Sequence, residues 1–479
     1  MELVKKRSVV GLVTLTSRTF FLQAVSFVAM FLLTIFLAPE VFGVFFVVSA
    51  VVNFLTYFSD IGLAAALIQK KKKLTKDDLQ TTFTIQQFLV VTLVIISLAI
   101  SPLVARFYHL SSTGLWLFRA LVISFFLSSL KTIPSVLLER KLDFNRLVIP
   151  QIAETIIFNA VAVLLAWKGW GVASFTVAVL ARGLSGLILI YLLSPWKPHL
   201  ALDKNSAKAL LSFGAPFQAN SLLALVKDDL LTVFLGKILP FGQVGFISWA
   251  QKWANTPLRF IMDSVIKVTF PAYSRIQDDK VALRAGLEKA LFAVCFFTFP
   301  ALVGLACLAA PLVEFIPRYL KWQPALLALY LFCGQAIFAS VSTILTNILN
   351  ATGRIKITLG LMVLWTTLTW ILTPTLVVFF GFNGVALAAL AVALTVFLPI
   401  LLVKKIVIFE LGENVGKPLA AALLMGLVLY LLLQRVSNNL GWLIITIFIG
   451  AIIYLGLMTV LARKKLLETS RIVWRVLKK

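Results

Sequence analysis

The chain has 479 residues, of which 61% are hydrophobic and 13% are charged, and its formal net charge is +25. A soluble globular domain has about 25% charged residues, so this composition excludes a water-soluble fold. The three cysteines, Cys295, Cys307 and Cys333, lie in apolar stretches without ligand spacing, which argues against a disulfide framework or a metal site.

Apolar runs of about 20 residues, long enough to cross a bilayer core about 30 Å thick, recur along the whole sequence. They predict an all-α polytopic membrane protein with fourteen transmembrane helices. The first run lacks an A-x-A ending and is followed by many others, so we expect it to be retained rather than cleaved as a signal peptide. The predicted spans are 11–37, 43–68, 79–104, 115–138, 150–167, 171–193, 210–235, 244–270, 287–310, 325–349, 357–379, 384–403, 419–433 and 441–461.

The distribution of Lys and Arg predicts the orientation of these spans. With the N-terminus inside, and with Lys289 at the start of span 9 counted with the preceding loop, 30 of the 44 basic residues fall in cytoplasmic segments, six in outer loops and eight inside spans. Cytoplasmic loops are enriched in Lys and Arg, so both termini are predicted to be cytoplasmic. The positive charge is therefore mainly topological, with attraction to anionic membrane lipids as a second effect, and no nucleic-acid partner is expected.

Two similar stretches indicate an internal repeat. LAPEVFGVF at 37–45 joins spans 1 and 2, and LPFGQVGF at 239–246 joins spans 7 and 8. Repeats of this kind place a binding site between the two halves of many transporters. The predicted division is an N-terminal lobe of spans 1–6 at 1–200, a C-terminal lobe of spans 7–12 at 201–408, and an appended pair of spans with a basic cytoplasmic tail at 409–479.

Basic residues inside the spans are candidates for a transport pathway. A charge at bilayer depth costs about 2.5 to 3.5 kcal/mol unless it faces protein or a watery cavity. On span 8, Lys252, Arg259, Asp263 and Lys267 fall within about 80° of one helix face. A net-positive cavity suits an anionic group such as a diphosphate, which Arg binds bidentately. The candidate substrate-binding residues are Arg18, Arg119, Arg182, Lys227, Lys252 and Arg259.

Simpler explanations exist for several of these basic residues. Arg259, Asp263 and Lys267 are four residues apart and could neutralise one another. Arg18 and Lys267 near the cytoplasmic ends of their spans, and Arg119 near an outer end, could extend their charges to the membrane interface.

Acidic residues inside the spans raise the question of ion coupling. A carboxylate at bilayer depth can exchange a proton or Na⁺ as a cavity alternates, but pairing with a nearby Lys is an equal alternative. Glu154 lies near a cytoplasmic end and could extend to the interface. The candidates for ion coupling are Asp60, Asp228, Asp229 and Asp263.

Six segments, in this order, carry a resemblance to a known family: LAPEVFGVF at 37–45, FSDIGLAAALIQKKKKLT at 58–75, LLERKLDF at 137–144, KDDLLTVFLGKILPFGQVGFISWAQK at 227–252, FPAYSRIQDD at 270–279 and LNATGRIK at 349–356. The chain resembles the Wzx-type lipid-linked oligosaccharide flippases, the polysaccharide branch of the multidrug/oligosaccharidyl-lipid/polysaccharide exporter superfamily. The resemblance implies two six-helix lobes around a central cavity that opens alternately to each side.

The leading functional prediction is a flippase that moves a polyprenyl-diphosphate-linked oligosaccharide to the outer leaflet of a bacterial cytoplasmic membrane, with a polysaccharide polymerase and glycosyltransferases as possible partners. The alternative is a small-molecule or multidrug exporter of the same superfamily, although organic cations would need a net acidic cavity. An enzyme is not expected, because the sequence has two His, no HExxH, no Gly-rich phosphate loop and no DxD. No cofactor is predicted.

Overall fold

The computed structural model describes residues 19, 21–59, 61–70, 74–219, 222–434, 440–463 and 465–466, and these residues contain helices but no strand. The helices are α1 Phe21–Phe36, α2 Pro39–Thr56, α3 Leu63–Gln69, α4 Lys76–Tyr108, α5 Ser112–Ser129, α6 Thr132–Arg140, α7 Phe144–Trp167, α8 Val172–Leu193, α9 Lys204–Ala219, α10 Leu222–Ile238, α11 Phe241–Arg275, α12 Lys280–Phe315, α13 Leu326–Ala351, α14 Ile355–Phe380, α15 Asn383–Ala393, α16 Phe397–Lys404, α17 Lys417–Leu433 and α18 Leu440–Leu461.

Eleven helical segments in the described part of the chain are long and apolar enough to cross a membrane. Each of them overlaps one of the predicted spans 2 to 6 and 9 to 14. The protein is therefore a multi-pass helical membrane protein. Predicted spans 1, 7 and 8 are not among the eleven: α1, α9 and α10 are each shorter than the eleven segments, and α11 contains Lys252, Arg259, Asp263 and Lys267.

The chain forms two compact units, which we call unit 1, Met1–Gly245, and unit 2, Phe246–Lys479. The division falls within α11, whose first residues belong to unit 1. The predicted lobes have boundaries at 200 and 408, because they were drawn from the sequence repeat and not from the packing of the chain. They stay a prediction.

The structure divides spans 2 and 4, which were predicted as continuous helices, and that prediction is wrong; span 12 remains one helical segment, Asn383–Lys404, with a 3₁₀ turn inside it. In span 2, a 3₁₀ turn follows α2, and Gly62 adopts a left-handed conformation with φ 69° before α3 begins. In span 4, the helix breaks between α5 and α6, shortly before Pro134. Proline has no N–H to bond the carbonyl of Leu130, and its ring crowds that carbonyl. Pro399 stands in the same relation to the 3₁₀ turn between α15 and α16.

In unit 1, the short helices α3, α6 and α9 share a small apolar core formed by Leu63, Leu67, Ile133 and Leu210. Arg140 at the end of α6 donates from Nη1 to the carbonyl oxygens at the end of α3, at 2.6 Å from both Leu67 and Lys70. These carbonyls have no partner within their helix, so the guanidinium completes the C-terminus of α3. Two of the segments that carry the family resemblance, 58–75 and 137–144, therefore meet.

The first turn of α4 is held to the end of α3 by a buried ion pair. Lys70 Nζ lies 2.7 Å from a carboxylate oxygen of Asp78, which has no exposed side-chain surface. Asp78 also accepts from the backbone N–H of Thr75, while the Thr75 hydroxyl accepts from the N–H of Asp78. This reciprocal cap fixes where α4 begins.

Unit 2 has its core among α12, α13, α17 and α18, where Cys295, Phe299, Ile344 and Ala421 are fully buried and Tyr454 nearly so. Its ion pairs lie near helix ends. Arg284 in the second turn of α12 contacts Glu288 at 2.9 Å and Glu410 at 3.2 Å, and Lys417 at the start of α17 contacts Glu413 at 2.5 Å.

Candidate functional site

The two repeated loops of the sequence contact each other inside unit 1. Gly43 lies against the carbonyl of Phe241, where a Cβ on residue 43 would stand 1.8 Å from the oxygen; Gly245 lies against the carbonyl of Pro39 in the same way, at 1.9 Å. The two contacts are reciprocal, since the offset from Gly43 to Gly245 equals the offset from Pro39 to Phe241. A two-fold relation between repeats produces such exchanged pairs, and only glycine permits the approach. We call this contact the glycine seam.

Further along α2, its polar face touches the polar face of α10. Asn53 Nδ2 donates to Asp229 Oδ1 at 3.4 Å. Asp228 is exposed and Lys227 is partly buried. Neither Asp228 nor Asp229 forms an ion pair within the described residues. The structure therefore does not show the pairing with a nearby lysine that the sequence left as an alternative.

In unit 1, two basic side chains from other parts of the chain meet Glu154 of α7 and form a charge cluster. Lys131, at the junction of α5 and α6, lies 2.5 Å from Glu154 Oε1, and Arg182 of α8 places its Nε 3.8 Å from Glu154 Oε2. The Arg182 guanidinium also lies 5.9 Å from the centre of the Phe158 ring, one turn along α7. The side chains of Lys131 and Glu154 are 15% and 12% exposed, whereas that of Arg182 is 55% exposed.

Arg182 therefore has an unusual position for a basic residue. It lies near the middle of α8, about 15 Å from either end at 1.5 Å per residue. Its closest approach to Glu154 is through Nε at 3.8 Å, and in the described part of the chain neither terminal nitrogen donates a hydrogen bond. A guanidinium with a free fork can bind a phosphate or carboxylate through two parallel hydrogen bonds.

Glu154 depends on a glycine of the neighbouring helix. A Cβ on Gly186 would lie within 2 Å of Glu154 Oε1, so the carboxylate occupies the space that a side chain would fill. Glu154 also lines a cavity of about 240 Å³, whose polar lining comes from α5, α6 and α7. The polar lining residues are Ser128, Lys131, Thr132, Ser135, Gln151 and Glu154.

On α11, the polar residues that the sequence places on one face are all exposed within unit 2: Lys252, Arg259, Asp263 and Lys267. Ala254 on the opposite face is buried, and so are Trp249 and Met262 of the same helix. Lys252 and Arg259 take part in no ion pair in the described residues. This face is therefore available to water or to an anion.

Arg119 is placed differently from the other candidates. Its Nε donates to Ser101 Oγ at 3.1 Å, and its guanidinium lies 5.2 Å from the centre of the Trp116 ring. The bond to Ser101 joins α5 to α4 in the halves of both helices that lie nearest their connecting loop. Two other candidates, Arg18 and Asp60, lie outside the described residues.

The sequence alone places Glu154 within a span, but it does not identify Lys131, Glu154 or Gly186 as site residues. Their spacing gives no signal, because they meet through the packing of three helices. The GLSG stretch at 183–186 is the available clue, since small residues in a membrane helix mark a close approach of a neighbour.

Residues 32–325 match the family described as polysaccharide biosynthesis protein. The lipopolysaccharide biosynthesis protein WzxC of Escherichia coli is 31% identical over 164 residues, which cover 34% of this chain and 33% of that protein. The succinoglycan biosynthesis transport protein ExoT of Rhizobium meliloti is 24% identical over 93% of this chain and 92% of its own.

Among solved structures, the lipid II flippase MurJ in an inward closed conformation superposes with a TM-score of 0.74 and 19% identity, covering 94% of this chain and 99% of that one. This likeness shows a shared fold. The resemblance to Wzx-type proteins is confirmed by the family match over well more than half of the chain. The chain belongs to the polysaccharide biosynthesis protein family.

Proposed function

We propose that this protein is a flippase that moves a polyprenyl-diphosphate-linked oligosaccharide from the cytoplasmic to the outer leaflet of a bacterial cytoplasmic membrane. Relatives named for the biosynthesis or transport of polysaccharides, and a fold shared with a lipid II flippase, support this class. The observation that carries the proposal is Arg182, an exposed arginine at mid-span with both terminal nitrogens free. A lipid-facing charge there would be costly, so its side chain faces an aqueous path.

The proposed topology has fourteen spans with both ends in the cytoplasm. The eleven apolar segments are completed by α1, by α9 and α10 together as span 7, and by α11 as span 8. Spans 7 and 8 contain Lys227, Lys252 and Arg259, and a helix that lines a polar path has reason to be less apolar than one that faces lipid. The lobes are 1–200 and 201–408, with 409–479 appended.

In this topology the glycine seam lies at the outer side of the membrane. The close packing of Gly43 and Gly245 on facing carbonyls closes that side of unit 1. Alternating access then requires the seam to part, and the absence of side chains at both positions lets it close again without repacking. The lipid tail of the substrate remains in the bilayer while the diphosphate and sugars pass through the cavity.

The proposed binding residues are those selected from the sequence: Arg18, Arg119, Arg182, Lys227, Lys252 and Arg259. Arginine suits the diphosphate because its planar fork matches two phosphate oxygens. Asp60, Asp228, Asp229 and Asp263 are proposed for ion coupling, and the membrane potential also drives an anion outward by about 2.3 kcal/mol per charge per 100 mV. A polymerase and glycosyltransferases that use the same lipid carrier are the proposed partners, and no catalytic step is assigned to this chain.

The test is reconstitution of the full chain in vesicles with a fluorescent lipid-linked oligosaccharide. We expect the combined substitution Arg182→Ala and Arg259→Ala to lower the translocation rate by about a hundredfold, because each lost charge-assisted hydrogen bond corresponds to about tenfold. The matched control is Arg146→Ala, since Arg146 is exposed and contacts only Asp143 near the start of α7. Unchanged translocation in the double variant would show that the assigned site is wrong.

A further inference from the structure

Glu154 has two basic partners that it holds with very different tightness. Lys131 is close and largely buried, at 2.5 Å, whereas Arg182 is distant and largely exposed, at 3.8 Å. The cluster has one negative and two positive side chains, so it carries an excess positive charge. The loose partner is the one whose terminal nitrogens are free, and it is therefore the one that an incoming anion would engage.

The surroundings of Glu154 provide a second place for its carboxylate. In the present position the carboxylate rests over Gly186 of α8, next to Arg182. Glu154 also lines the cavity of about 240 Å³, together with Ser128, Thr132 and Ser135, which carry hydroxyl groups. A carboxylate that turned into this cavity would keep Lys131 and gain hydroxyl donors, so it would not be left unpaired.

A transporter must release its cargo as well as bind it, so a site for an anion must not bind too tightly. An arginine with no counter-charge would hold a diphosphate strongly. A nearby carboxylate competes with the diphosphate for the same guanidinium, which weakens binding and makes release faster.

We infer that Glu154 is a positioning residue that serves as an internal counter-anion to Arg182. When a phosphoryl group of the lipid-linked substrate engages the free fork of Arg182, the carboxylate turns toward the cavity and Lys131. When it returns to Arg182, it displaces the phosphoryl group. This inference rests on the proposed function, because it takes the substrate's diphosphate as the anion that Arg182 binds.

The experiment measures binding and translocation separately. The full chain in lipid nanodiscs is titrated with geranylgeranyl diphosphate, and the same variants are assayed for translocation in vesicles. We expect Glu154→Gln to bind the diphosphate about tenfold more tightly, and to show a lower translocation rate at saturating substrate. Geranylgeraniol, which has the same chain without the charge, should bind both proteins equally. A purely structural role for Glu154 would weaken binding or leave it unchanged.

Glu154→Gln leaves Lys131 without its ion-pair partner and could impair folding, so a second variant is needed that removes the same carboxylate without leaving an unpaired charge. Lys131→Gln combined with Glu154→Gln removes both charges and keeps side chains of similar shape. It should also bind the diphosphate more tightly. Asp143→Asn is the matched control, since it releases the exposed Arg146 on the same helix and should leave affinity unchanged.

The two proposals fail in different ways. If the folded double variant binds geranylgeranyl diphosphate no more tightly than the wild type, the role of Glu154 is refuted while the flippase proposal stands. If the wild-type chain moves no fluorescent lipid-linked oligosaccharide, the proposed function is refuted whatever the variants bind.

Discussion

The two units treat their charged residues in opposite ways. In unit 1, charges join different helices inside the protein: Lys131 and Arg182 share Glu154, and Lys70 holds a fully buried Asp78. In unit 2, the ion pairs lie near helix ends, and along α11 Lys252 and Arg259 are exposed with no ion pair in the described residues.

The difference indicates a division of tasks. Removing one partner of a buried ion pair leaves an uncompensated charge, so the pairs of unit 1 should control stability and geometry. An exposed charge on a membrane helix contributes little to the fold and is tolerated only where water or a ligand reaches it. We therefore expect substitution of a buried partner in unit 1, such as Asp78, to lower stability first, and substitutions of exposed basic residues, such as those on the α11 face, to lower transport first.

The largest effect is expected for Asp78→Ala in unit 1. This change removes the cap of α4 and leaves Lys70 without its partner, so the free energy of unfolding should fall by about 3 to 5 kcal/mol. The measurement is denaturation of the purified protein in detergent. Asp77→Ala is the control in the same helical turn, because Asp77 is exposed. Equal losses in both variants would contradict the view that unit 1 depends on its buried pairs.

A smaller loss is expected at the glycine seam, where unit 1 relies on backbone contact instead of charge. Gly43→Ala places a Cβ 1.8 Å from the Phe241 carbonyl oxygen, so the helices must separate at a cost of about 1 to 3 kcal/mol. Denaturation and vesicle translocation are the measurements, and both should decline. Gly242→Ala is the control, because the nearest atom to its Cβ would be Glu40 Cγ at an ordinary 3.4 Å. If the two variants behave alike, close approach at residue 43 has no role.

Much of the helical architecture could be predicted from sequence because an apolar run of about 20 residues has few other stable states. The predicted span at 171–193, for example, differs by one residue from α8. Span 4 failed because its hydropathy is continuous across the break, although Pro134 was visible and accounts for the end of α5 at Ser129.

The candidate site could be predicted only where one helix determines it. The shared face of Lys252 and Arg259 follows from 100° per residue, and both are exposed. The cluster around Glu154 could not be predicted, because Lys131, Glu154 and Arg182 come from different helices and meet through tertiary packing. Helical periodicity orders residues around one helix and contains no information about which neighbour it meets.

The smallest effect on stability, with a clear effect on transport, is expected for Lys252→Gln in unit 2. Lys252 is exposed and forms no ion pair in the described residues, so its loss should leave the melting temperature unchanged. Translocation of the lipid-linked oligosaccharide should fall by about tenfold if its charge contacts the diphosphate. Lys267→Gln is the control on the same face, since Lys267 lies nearer the C-terminal end of α11 and should matter less. A fall in melting temperature as large as that of Asp78→Ala, with transport intact, would reverse the comparison and place the structural charges in unit 2.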